Sequence, residues 1–165
     1  SDGARAAVLE RFFARHRERG LWTRPCEGAR VALDALARTP LRLACVSNSD
    51  GRAEAHLGDC GVREGLEFVV DSGLEGIEKP DPRIFALALE RLGVPAERAL
   101  YVGDIRSVDE AGARAAGMHF VLIDPWMDYG EGDDRIAEIA ALPEWIATRF
   151  TLPDPPPARR AGRRT

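Results

Sequence analysis

Three sets of residues in this chain have the types and spacing for chemistry. A hydroxyl and a side-chain amide, Ser47 and Asn48, close the apolar run "LRLACVSN". Two carboxylates, Asp104 and Asp109, stand five residues apart just after the run "ALYVGD". Between them in sequence lies Lys79, in "GIEKPDPRIF", residues 76 to 85. It is the only lysine; the other 22 of the 23 basic residues are arginine. Arginine presents a wide planar fork, whereas lysine is a compact ammonium with rotatable donors. A crowded site needing one cation between a carboxylate and a phosphate selects the ammonium. Phosphoryl groups need positive charge and donors around their oxygens. Paired acids can hold Mg²⁺, which takes hard oxygen ligands and keeps several waters. Taken singly, each feature has an ordinary explanation: a turn, a helix cap, a solvated charge. Together they suit phosphoryl transfer.

These residues need elements that bring them to one place. The runs at 41–48, 66–73, 99–104 and 119–124 are short, apolar and end in small or polar residues. They alternate with helical stretches, which predicts buried parallel strands in an α/β fold. In such sheets chemistry gathers at the carboxyl ends of the strands. Ser47, Asn48 and Asp104 are placed there, and Lys79 lies in the loop after the second strand. The helices carry their own signals. Residues 3 to 19 show Val8, Leu9, Phe12 and Phe13 at helical spacing. A second helix is expected from Pro25 to about Arg38, with Val31, Leu33, Ala35 and Leu36 as apolar positions. Asp50 is positioned to cap the next helix. Asp81 caps another, with Pro82 at its first position, Ile84, Phe85, Ala88, Leu89 and Leu92 on its inner face, and Gly93 beyond its end. Val108, Ala111 and Ala115 are expected to face inward from a helix stopped by Gly117. A last helix is expected over about 132 to 149.

Composition narrows the function. The 165 residues suit one domain with a core. A net charge of −4 argues against a nucleic-acid binder. No apolar run approaches the roughly 20 residues that span a bilayer. Cys26, Cys45 and Cys60 form no CxxC pair, which reads as reduced thiols in a cytoplasmic protein. Residues 151 to 165 carry four arginines, one aspartate and many prolines, and read as a disordered tail. His16, His56 and His119 lack metal-ligand spacing.

Three motifs, "LACVSNSDG", "GIEKPDPRIF" and "YVGDIRSVDEAGARAAGM", occur in an order that resembles the haloacid dehalogenase-like (HAD) hydrolases. The nearest likeness is to their phosphoglycolate-phosphatase-like members, from about Pro25 to Phe150. "FVLIDP" followed by "LPEWI" resembles the end of the family's core. The resemblance implies a Rossmann-like parallel sheet flanked by helices. It implies that Lys79 sits between a nucleophilic carboxylate and the phosphoryl group. Ser47, with Asn48, would bind phosphoryl oxygens. Asp104 would bind Mg²⁺ directly, and Asp109 would stand behind the metal or act as a further ligand. The GDxxxxD spacing favours metal-dependent phosphatases over metal-free dehalogenases of the same fold. The substrate implied is a small phosphorylated metabolite, which composition places away from nucleic acid and membrane.

One part of the family pattern is absent. Its first motif is a strand ending in DxD, whose first aspartate is the nucleophile; this chain has no DxD. Residues 1 to 24 resemble the end of a helical cap, residues 25 to 150 the α/β core. The expectation is an amino-terminally truncated hydrolase, inactive alone. The family's missing strand would lie between those at 41–47 and 99–103, so two facing edges would lack partners and the chain would be poorly stable or rearranged. A non-catalytic relative that binds phosphate or protein is the alternative.

Overall fold

A computed structural model describes residues 2–19, 24–130, 132 and 134–152. Most of the 151–165 tail and residues 20–23 lie outside that range, so the expected tail and the Gly20 stop are not described. The expected alternation is present. Helices α1 (Asp2–Arg19) and α2 (Ala29–Leu36) precede strand β1 (Cys45–Ser47). Then come α3 (Ala53–Asp59), β2 (Val69–Asp71), the single turn α4 (Ser72–Glu75) and α5 (Pro82–Leu92). Strand β3 (Leu100–Gly103) leads through a wide π-type turn (Arg106–Glu110) into α6 (Ala111–Ala115). Strands β4 (His119–Ile123) and β5 (Arg135–Ile136) and helix α7 (Leu142–Arg149) follow.

Every ladder is parallel, as the buried apolar runs require. β1 pairs with β2, Val46 opposite Val70, and β3 pairs with β4, Val102 opposite Val121. The strands form two sheets, β1-β2 and β3-β4-β5, and no ladder joins β1 to β3 among the described residues. Helices cover both faces, and side-chain alternation in β4 shows how. Phe120 and Leu122 enter a core with Val70, Ile84, Phe85, Ala88 and Ala113. Val121 points the other way, into a core with Leu36, Ile136, Leu142, Trp145 and Ile146. The first core takes residues from both sheets, so side chains hold together what the backbone does not.

α5 follows its sequence signals. The Asp81 carboxylate accepts from Arg83 N–H at 2.9 Å, Pro82 opens the helix, and Gly93 ends it at φ 62°. Ile84 and Phe85 are fully buried. Replacing Asp81 by alanine leaves an orphan N–H at the helix start and is expected to cost about 1 kcal/mol. Chemical denaturation checks this; an unchanged midpoint would assign the cap no weight.

Several expectations are corrected. α2 begins at Ala29, not Pro25: Gly28, at φ 78°, turns the chain into it. A Cβ at Gly28 would lie 2.8 Å from that of Ala140, so the helix start is wedged against the 139–141 turn. Val31 faces solvent, and Ala32 and Leu36 are the buried positions. Asp50 caps nothing; its carboxylate pairs with Arg52, and α3 is opened by Asp71 from β2. Ala111 and Ala115 are exposed, while Gly112 and Ala113 are buried. The wide turn at 106–110 spends an extra residue and rotates the inner face of α6. The helix expected over 132–149 begins only at Leu142. Residues 135–136 instead add an edge to β4, where Leu122 N–H donates to Asp134 and Asp124 N–H to Ile136. Pro143 suits the first turn of α7.

α1 forms as expected, but Val8, Leu9, Phe12 and Phe13 are between 45% and 66% exposed. Its described ties to the body sit at its end, where His16 C=O accepts from Arg52 and His16 Nε2 lies 3.5 Å from Asp50. No helix among the described residues is long and apolar enough to cross a membrane.

Candidate active site

The five residues singled out by type and spacing come from the carboxyl ends of β1 and β3, from the 106–110 turn and from the loop between α4 and α5. Ser47 is the last residue of β1, paired in register with Asp71. Asn48 follows it and clamps the lysine loop. Its Nδ2 donates to Lys79 C=O at 2.9 Å, and its Oδ1 accepts from Lys79 N–H at 2.8 Å. The Asn48 side chain is thereby committed to the backbone of Lys79, and what it leaves for a ligand is its own main-chain N–H.

The Lys79 side chain is 12% exposed, and Nζ donates to Asp109 Oδ1 at 2.7 Å and to the Tyr101 hydroxyl at 2.9 Å. The other Asp109 oxygen accepts from the N–H groups of Asp104 and Ile105, at 3.2 and 3.0 Å. Asp109 is 3% exposed. A buried carboxylate needs such full satisfaction, and the spacing between Asp104 and Asp109 provides it. The intervening wide turn folds Asp109 back onto the end of its own strand. Gly103 makes room: a Cβ there would stand 2.5 Å from Asp109 Cβ and Cγ.

Asp104 differs. It is exposed, and no described residue bonds its carboxylate. Its oxygens are the hard donors available to a divalent cation at this rim, whereas those of Asp109 are occupied. No cluster of three or more His, Cys, Asp or Glu side chains suited to a metal occurs among the described residues. Of the two carboxylates, only that of Asp104 has oxygens open to a hard cation.

Two residues that sequence reasoning missed complete the frame. Tyr101 looked like one more apolar strand residue. Its ring packs edge-on against Phe85 at 4.9 Å, and burial, then the nearby Asp109 charge, push its hydroxyl well above the usual phenol range. It remains a neutral hydroxyl. Asp71 looked like a polar strand end. It is 3% exposed, and it accepts from the N–H groups of Gly51, Ala53 and Gly73, each at 2.9 Å. Burial alone would raise its carboxyl; those N–H groups outweigh that and hold it below the ordinary value. Ser72 and Ser49 exchange two 3.0 Å hydrogen bonds beside it. The loop after Ser47 is thus fastened to β2. The aspartate before "SG" was the available signal, since Asp-Ser-Gly is an N-cap sequence.

Cys45 is partly buried in β1, its thiol pushed up by burial. Arg106 pairs with Glu110 and stacks over Tyr129 at 5.2 Å, while Trp126 is 80% exposed on the same loop. A cavity of about 420 Å³ is lined by Arg106, Glu110, Arg114, Leu122, Gly132, Asp134 and Arg135. None of its walls is Ser47, Lys79, Asp104 or Asp109. Arg106 and Arg114 pair with Glu110, and Arg135 with Asp124.

Comparison with known proteins agrees with this geometry. Residues 2–117 match the family described as haloacid dehalogenase-like hydrolase. The haloacid dehalogenase-like hydrolase domain-containing protein 3 of Mus musculus is 44% identical over 97 residues, 59% of this chain and 39% of that protein. A phosphoglycolate phosphatase of Rhodospirillum rubrum is 36% identical over 143 residues, 86% of this chain and 57% of that protein. The crystal structure of a HAD phosphatase from Thermococcus onnurineus superposes with a TM-score of 0.65 at 30% identity, over 69% of this chain and 54% of that one. The chain spans about half the length of these relatives. A parallel α/β sheet, a buried lysine–aspartate pair at its carboxyl rim and a family match over residues 2–117 lead to one assignment: this chain belongs to the haloacid dehalogenase-like hydrolases.

Proposed function

We propose that the protein is a cytoplasmic, Mg²⁺-dependent phosphatase of a small phosphorylated metabolite, and that these 165 residues supply its phosphate-facing lysine and hydroxyl and one cation-holding carboxylate, but not the DxD carboxylates that act as nucleophile and acid–base. The observation that carries this reading is the placement of Lys79. Its ammonium is fixed by Asp109 and Tyr101, and its backbone is clamped by Asn48, the residue after Ser47. An ammonium held at the strand-end rim that also carries Ser47 and the exposed Asp104 suits a phosphoryl group better than a neutral substrate. The phosphatase names of the Rhodospirillum and Thermococcus relatives support the same class.

In this reading Lys79 offsets charge on the non-bridging phosphoryl oxygens, and the Ser47 hydroxyl and nearby main-chain N–H groups donate to them. Asp109 keeps the ammonium aimed. Asp104 would hold the cation, which neutralises phosphoryl charge when bound. The nucleophilic carboxylate, which splits hydrolysis into formation and breakdown of an acyl phosphate, would come from a DxD segment of the full protein; the chain has none. By itself it is then inactive.

The test uses the protein encoded by the complete reading frame. It should release phosphate from p-nitrophenyl phosphate with Mg²⁺ and lose that activity in EDTA, while the 165-residue chain releases none. Turnover indifferent to EDTA, or halide release from a 2-haloacid instead, would reject the proposal. If the complete frame encodes no DxD, the non-catalytic relative becomes the better reading.

A further inference from the structure

Arg135 opens the edge strand β5, opposite Leu122 of β4. Its side chain is nine-tenths buried, at 10% exposure. A guanidinium carries several N–H donors and cannot shed its charge. Among the described residues Arg135 makes one side-chain bond, from Nη1 to Asp124 Oδ2 at 3.4 Å. Arginine–carboxylate pairs close at about 2.7–2.9 Å, often through two parallel bonds, so this contact is long and single. Asp124 is shared: its oxygens also accept from the N–H groups of Asp128 and Tyr129, at 3.1 and 3.2 Å. The unused donors of Arg135 are not sealed in the core. Among the described residues, His16 Nδ1 is the one buried side-chain nitrogen or oxygen without a partner. The spare Arg135 donors therefore open to the cavity of about 420 Å³ that this side chain lines.

The rest of the wall adds charge of the same sign. Arg106 and Arg114 bracket the Glu110 carboxylate at 3.0 and 2.8 Å, and Arg114 also meets Asp134 at 3.2 Å. Among the described lining residues, three guanidinium groups face two carboxylates, a surplus of one positive charge. The volume falls in the range of small-molecule sites. The walls stand on β4, β5, α6 and the turn before α6. β4 and β5 lie on one side of β3, and the strand expected between β1 and β3 would lie on the other. The cavity is thus independent of that strand.

We propose that this cavity is a carboxylate-binding site, separate from the phosphoryl rim, in which the spare donors of Arg135 grip the carboxylate of a small organic acid. A surplus of one charge matches a carboxylate better than a phosphate monoester, which carries about −1.5 to −2 at neutral pH. The planar fork of arginine matches the planar acid. Arg106 and Arg114, held apart by Glu110, add to the attraction at the mouth. None of this rests on the phosphatase reading.

The test titrates benzoate into the protein of the complete reading frame, by calorimetry at neutral pH without metal. Arg135→Gln keeps a donor for Asp124 and removes the charge. Binding should saturate in the parent and weaken roughly ten- to hundredfold in Arg135→Gln, the loss of one hydrogen bond to a charged group. Arg114→Ala should weaken it severalfold, and Ser47→Ala, at the phosphoryl rim, should leave it unchanged. No saturation below about 10 mM in the parent, or equal affinity in a folded Arg135→Gln protein, would overturn the proposal. Should Arg135→Gln fail to fold, the half-exposed Arg114 decides, and unchanged affinity in Arg114→Ala rejects the site. A loss in Ser47→Ala as large as in Arg135→Gln would place the acid at the phosphoryl rim and reject it too. Competition by benzyl alcohol, the same ring without the charge, would show that the ring alone is bound.

Discussion

Lys79→Met in the full-length enzyme is expected to lower kcat by roughly 10²–10³-fold, the usual loss when a preorganised donor to a charged transition state is removed. KM should change far less, because the ammonium counts most as charge moves on the phosphoryl oxygens. The substitution has a second consequence that must be separated from the first. It leaves Asp109, 3% exposed, without a counter-charge, and removing one member of a buried pair costs about 3–5 kcal/mol of stability. The double variant Lys79→Met/Asp109→Asn should regain much of that stability and none of the rate. Lys79→Arg is expected to be nearly as slow as methionine. The pocket between Asp109 Oδ1 and the Tyr101 hydroxyl suits a point donor, not a fork. This accounts for one lysine in a chain that uses arginine elsewhere. Steady-state kinetics beside thermal melts check the set; a folded Lys79→Met enzyme within about twofold of the parent kcat would end the case for its role.

The second large effect is on folding. Asp71→Ala is expected to cost about 3 kcal/mol, close to 1 kcal/mol for each of the three N–H groups it leaves without an acceptor. Asp71→Asn should recover part of this, since one carbonyl oxygen can serve only one side of the cluster. The carboxylate also predicts a pH dependence. Its folded-state value lies below the ordinary one, so its contribution is complete above the unfolded value of about 3.9. It is lost as pH falls through the folded value. Urea midpoints at neutral and acid pH measure both effects. The gap between parent and Asp71→Ala should narrow on the acid side, and a constant gap would place the cost in packing instead. Loosening of the 48–53 loop should follow, because Gly51 and Ala53 are tied to β2 through this side chain.

The sequence was most legible where a local rule decided the outcome. Asp81, Pro82 and Gly93 mark α5 because capping depends on neighbours in the chain. Lys79, Asp104 and Asp109 stood out because charged residues next to buried strands need a reason. Side-chain partners across the fold were less legible. Asp50 and Asp71 are both aspartates near the start of α3, and only the β1–β2 register puts Asp71 beneath it. Tyr101 was hidden because a tyrosine in an apolar run satisfies strand patterning whether or not its hydroxyl has a task. The inner face of α6 was misplaced because a wide turn leaves no mark on periodicity. Asp109 buries its carboxylate by making that turn, so the local irregularity belongs to the site. Val31 shows the limit of apolarity alone: it fits a helical stripe yet faces out, while the smaller Ala32 is buried.

The solitary Lys79 has a practical side. Apart from the chain's α-amino group, the molecule offers an acylating reagent a single amine, and that amine is 12% exposed between Asp109 and Tyr101. The extent of acylation is then a direct gauge of whether the cleft is open or occupied. A phosphate or a transition-state mimic seated there would announce itself by protecting one nitrogen, with no substrate turned over.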